Sequence, residues 1–151
     1  MAFLRSDYRY KDLGLLILRI GIGVAFILHG WPKLAGGPEY WEAIGQNMKL
    51  IGISFAPTFW GFMAGLAETL GGLLLILGVF WRVTCLLLLF TMIIATSRHV
   101  AAGDDFNGYS HALEAAVLFF SLLFIGPGTY SLDHKLFPTD RHRSRFKRIV
   151  I

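Results

Sequence analysis

Four apolar runs constrain this chain more than any other feature, because each is long enough to cross a bilayer. A membrane helix needs about 20 mostly apolar residues at 1.5 Å each. The runs lie at about residues 13–31, 57–79, 82–97 and 111–125. Pro57 suits a first helical turn, and "GPG" after Ile125 stops the last run. The third and fourth runs are near the lower limit, so their ends are expected to extend into the interface. The expected fold is all-α, a four-helix transmembrane bundle.

Composition agrees. The chain is 55% hydrophobic and only 16% charged, where a soluble domain averages about 25% charged. "MAFLRSDYRYKD" is polar, and the run after it has no small-residue cleavage site, so that run reads as a span and not a leader. The single cysteine, Cys85, excludes an internal disulfide and any CxxC chemistry, and reads as a small buried side chain. Residues 1–137 form one membrane domain, followed by a basic tail over 138–151.

Charge sets the expected orientation. Arg5, Arg9, Lys11, Arg82, Lys135, Arg141, Arg143, Arg145, Lys147 and Arg148 fall on one side of the four runs, and Lys33, Lys49 and Arg98 on the other. The positive-inside bias puts both termini in the cytoplasm, with a multi-pass chain in a bacterial inner membrane. The tail "DRHRSRFKRIVI" adjoins a span, so anionic lipid headgroups suit it better than nucleic acid.

The first outer loop, "PEYWEAIGQNMKLIG", spaces Tyr40, Trp41, Ile44, Met48 and Ile51 near a helical period. It reads as a short helix lying in the outer interface or capping the bundle. "GFMAG" places Gly61 and Gly65 on one face of span two, with Gly71 and Gly72 below. Small residues let helices approach closely in lipid, so span two is expected at the centre of the bundle.

Ionisable residues inside spans are costly and usually find partners in the bundle interior. Helical rise puts Arg19 about 9 Å above the inner boundary and Glu68 near mid-membrane, so an Arg19–Glu68 pair is expected. That pair would either lock two helices or form a proton or ligand site. A second layer lies in the outer third: His29, Lys33, Arg98, His99, His111 and Glu114. His29 and Lys33 share a face, as do His111 and Glu114. Such a polar mouth suits an anion or a polarised carbonyl oxygen, with histidine as donor or proton carrier. Lys33 and Arg98 oppose a cation and no HxxxH or HExxH is present, so no metal is expected. Trp31, Trp41 and Trp60 either line an apolar slot or form the interfacial belt.

"LRIGIGVAFILHGWPKLAG", "AGLAETLGGLLLILG" with Arg82 after it, and "FIGPGTYSLD" resemble the DoxX family of small bacterial membrane proteins, over about residues 13–137. The matching positions are Arg19, His29, Gly30, Lys33, Glu68, Gly71, Gly72 and Asp133. The resemblance implies a four-helix integral membrane fold and a link to quinone-dependent thiosulfate oxidation, redox stress or detoxification. Some thiosulfate-oxidising relatives carry an extra domain absent here.

The expected function is a membrane oxidoreductase subunit. It would interact with a quinone and act on a small molecule or sulfur compound, with His29, Glu68 and Arg19 as catalytic residues. Lys33, Arg98, His99, His111 and Glu114 would bind substrate. No haem, flavin or iron–sulfur motif is present, so a redox partner protein or reduced substrate must supply electrons. A homodimer is also considered. The alternatives are a small-solute binding or transport protein, and a non-catalytic scaffold.

Overall fold

The computed structural model describes residues 8–137. The basic tail expected over 138–151 lies outside the described residues. The order is α1 (Lys11–Ala35), α2 (Gly37–Gly45), α3 (Pro57–Leu77), α4 (Trp81–Ala101), α5 (Phe106–Ile125) and α6 (Leu132–Leu136). Of these, α1, α3, α4 and α5 are long and apolar enough to cross a membrane. Helices satisfy their own backbone groups, which hydrocarbon cannot. The expected all-α architecture is the one observed.

Consecutive long helices run antiparallel. α1 packs on α3, α3 on α4 and α4 on α5, while α2 lies across α3. α1 and α5 close the ring through side chains, with Phe26 edge-on to Phe119 at 4.9 Å between centroids. The core is built from Phe26, Leu75, Leu88, Phe119 and Leu122, with Cys85 as a fully buried filler.

Glycine sets the closest approach, between α1 and α3. A Cβ on Gly23 would sit 2.6 Å from the Gly72 carbonyl, and one on Gly30 would sit 2.6 Å from the Thr69 nitrogen. Backbone therefore meets backbone, which suits packing in lipid. Gly61 abuts the Trp41 backbone of α2, and Gly65 faces Leu34 of α1. α3 is thus the central helix, as its small residues imply.

The third and fourth apolar runs, short in the sequence, are extended by about a turn as expected. α4 continues through Ser97, Arg98 and His99, and α5 begins at Phe106, capped by Asp105, which accepts from the Gly108 N–H at 3.1 Å. These polar turns are helical because caps, and not hydropathy, decide where a helix ends. The short helix of the first outer loop is α2, continued by a 3-10 turn over Gln46–Ile51. It covers one end of the bundle, called the α2 end below. The link Gly78–Phe80 and α6 lie at the far end.

Candidate functional site

The far end is held by Arg19. Its guanidinium is buried and donates to four backbone carbonyls: Leu75 (3.1 Å) and Ile76 (2.7 Å) at the end of α3, and Pro127 (2.7 Å) and Tyr130 (3.1 Å) in the loop after α5. The last carbonyls of a helix have no intrahelical donors and carry partial negative charge, so a cation is favoured there. Gly78 completes the contact: it has φ +63, and a Cβ would meet the Arg19 Cζ at 2.8 Å. Asp133 accepts from the Phe80 N–H (3.0 Å) and the Trp81 N–H (2.8 Å), capping α4 from 52 residues away. Phe80 holds φ 50 there. The "GPGTYSLD" segment therefore ties α1, α3 and α4 together.

The expected Arg19–Glu68 pair does not form. Glu68 is buried and accepts from the Lys33 ammonium at both oxygens, 2.6 and 2.7 Å. Side-chain direction explains the exchange of partners. A Cβ tilts toward its helix's N-terminus. Lys33 and Arg19 on α1 both lean toward the far end, whereas Glu68 on the antiparallel α3 leans toward the α2 end. Lys33 and Glu68 converge; Arg19 and Glu68 diverge.

Beside this pair lies a cavity of about 660 Å³ between α2, α3 and α4, within the range of small-molecule sites. Lys33 and Glu68 are its charged floor, and Arg98 and His99 stand where α4 reaches the α2 end. Trp60, Met63, Phe90 and Met48 supply apolar walls. Leu87 and Phe90 of α4 line it and are 44% and 45% exposed, so the cavity is open beside them. Two polar atoms nearby are buried without partners among the described residues, Trp60 Nε1 and Gln46 Oε1. His99 Nδ1 lies 2.6 Å from Asp104 Oδ2. Arg98 has no carboxylate partner among the described residues.

The structure divides the six outer residues. Lys33, Arg98 and His99 share the cavity. His29, His111 and Glu114 lie together on the opposite side, along the α1/α5 seam, and all three are exposed. The His29 and His111 rings meet edge-on, 6.2 Å between centroids. A depth estimate along helix axes gives their common level but not their azimuth, so it cannot separate the two groups. Among the described residues, no three His, Cys, Asp or Glu side chains are arranged to hold a metal ion.

Sequence reasoning singled out Trp60 without deciding between slot and belt; it lines the cavity. Trp41 instead donates to the Lys33 carbonyl at 2.9 Å, and Trp31 is exposed. Met48, Met63, Phe90 and Thr91 were missed as cavity residues. In a chain this apolar, wall residues carry no distinguishing signal.

The sequence model of the DoxX family matches residues 14–102. The chain belongs to the DoxX family. It is 34% identical over 139 residues to an uncharacterized protein of Haemophilus influenzae, covering 85% of this chain and 95% of the relative. It is 31% identical over 134 residues to the inner membrane protein YqjF of Escherichia coli, covering 85% and 95%. The inner membrane protein YphA of E. coli is 30% identical over 147 residues, covering 86% and 99%. No solved structure gives a significant match.

Proposed function

We propose that this DoxX-family chain is an oxidoreductase subunit of the bacterial inner membrane whose cavity receives a quinone headgroup. One observation carries the reading: an amphipathic cavity with the Lys33–Glu68 pair at its floor, open beside the exposed apolar Leu87 and Phe90, where acyl chains would lie. A lipid-dissolved ring compound enters such an opening sideways. The residues fit the group: the walls are aromatic and thioether, from Trp60, Phe90, Met48 and Met63, with the Lys33–Glu68 pair beside them.

When bound, a quinone accepts electrons and protons at its carbonyl oxygens. Lys33 donates a hydrogen bond to such an oxygen and polarises it. Glu68, paired with Lys33, would take up or release the proton that accompanies the electrons. Arg98 and His99 join this floor to the α2 end and its water. Arg19, with its donors committed to backbone carbonyls, is a structural clamp, and His29 acts outside the cavity. A reduced partner protein, or a small molecule such as a sulfur compound, supplies the electrons. The inner-membrane names of the relatives and the charge bias support a chain with both ends in the cytoplasm.

Titration of the chain in lipid nanodiscs with a short-chain ubiquinone tests this. Saturable quenching of tryptophan fluorescence is expected. Ala67→Phe fills the cavity without removing a charge, and should weaken binding at least tenfold while the unfolding temperature holds. Folded wild-type protein that shows no saturable quinone binding would overturn the reading. Arg98 favours a second reading, an anionic small solute entering at the α2 end. Solute uptake by reconstituted vesicles without quinone binding would select it.

A further inference from the structure

We propose that the α1/α5 seam is the surface on which a second copy of this chain docks, independently of what the cavity binds. Glu114 lies eight residues into α5, about 12 Å from its first residue. His111 precedes it by one turn, and His29 reaches the same level from α1. All three are exposed, and Glu114 has no hydrogen-bond or ion-pair partner among the described residues. A carboxylate in the outer third of the bilayer is costly against acyl chains, less so than at mid-membrane, and stable against a partner's donor.

The set is self-complementary. Two copies inserted the same way are related by a two-fold axis along the membrane normal, so residues at equal depth or one helical turn apart meet. In such an isologous contact residue i meets j and j meets i. His111 of one copy then faces Glu114 of the other twice over, with both His29 rings alongside. One face thus supplies both donor and acceptor, which argues for a second copy over an unlike subunit.

The neighbouring face of α1 points to the same occupant. Gly14, Ile17, Gly21, Val24 and Leu28 alternate at spacings of three and four, and all are exposed. This is the seam of a pair of long helices. At Gly14 and Gly21 a Cβ would meet nothing within 4 Å, so neither glycine is needed by the fold of one chain. Both leave room for a helix to approach.

The experiment measures the oligomeric mass of the full chain in detergent and in nanodiscs. The wild type is expected to be dimeric. Gly21→Trp should leave the unfolding temperature unchanged and yield monomer. His111→Glu should weaken dimerisation at least tenfold, and His111→Glu with Glu114→His should restore it. If Gly21→Trp fails to fold, the loss and recovery in the two charge variants decides the matter. A monomeric wild type would overturn the proposal, whatever else covers the face. So would a dimer that none of these substitutions changes.

Discussion

The two ends of the bundle each hold a cation, and they treat it differently. At the far end Arg19 is bound by four backbone carbonyls and, among the described residues, by no carboxylate. At the α2 end Lys33 is bound by one carboxylate, and the pair borders an open cavity. Backbone carbonyls cannot change protonation or leave their helices, so the first arrangement is fixed. A side-chain pair can exchange a proton, take a third partner or separate. A charge inside the bundle is therefore a functional candidate only when its counter-group can respond, and by this criterion the candidate site is at the α2 end.

The largest expected effect is at Arg19. Arg19→Ala takes the Arg19 donor from the Ile76, Pro127 and Tyr130 carbonyls, each costing about 1–3 kcal/mol if no water replaces it, while Leu75 keeps the Gly78 N–H at 3.1 Å. The protein should lose its folded, monodisperse state in detergent, read by size exclusion and thermal denaturation. Arg19→Lys should recover only part, because a compact ammonium cannot span the four acceptors. Full recovery by lysine would erase the contrast between the ends.

An intermediate effect is expected at the pair. Lys33→Met strands a buried carboxylate and should cost about 2–3 kcal/mol, less than the 3–5 typical of a fully buried pair because the Lys33 side chain is 31% exposed. Adding Glu68→Gln removes the stranded charge and should return most of that stability while ligand binding stays lost. A double variant as unstable as Lys33→Met would mean that the pair serves packing, as Arg19 does.

The smallest effect is at Asp133. Asp133→Ala removes the acceptor for the first N–H groups of α4 and should cost about 1–2 kcal/mol, lowering the unfolding temperature by a few degrees. Quinone titration should be unchanged. A binding defect there would show that the two ends are coupled.

The four helices were legible in the sequence because lipid demands long apolar runs, and no other signal competes with that. Their ends were less so: hydropathy alone stops the third run near Ser97 and starts the fourth at His111, while α4 runs on to Ala101 and α5 starts at Phe106. The site was half legible. Glu68, Lys33 and Arg19 stand out as charges within or beside spans, but which two meet depends on the directions their side chains lean. The separation of His29, His111 and Glu114 from Lys33, Arg98 and His99 depends on azimuth around the bundle, which depth alone does not carry. The "SLD" motif gave no hint that Asp133 caps a helix 52 residues earlier, because a cap supplied from outside its own helix leaves no local pattern.

The clamp on Arg19 also dictates an order of events during synthesis. Arg19 enters the bilayer with the first span, and Leu75 and Ile76 follow when the third helix is made. Pro127 and Tyr130 emerge near the end of translation. Until then the guanidinium stays half satisfied, and the nascent helices cannot settle into their final arrangement. A ribosome stalled between Ile76 and Pro127 would leave an unfinished intermediate exposed to membrane quality-control proteases.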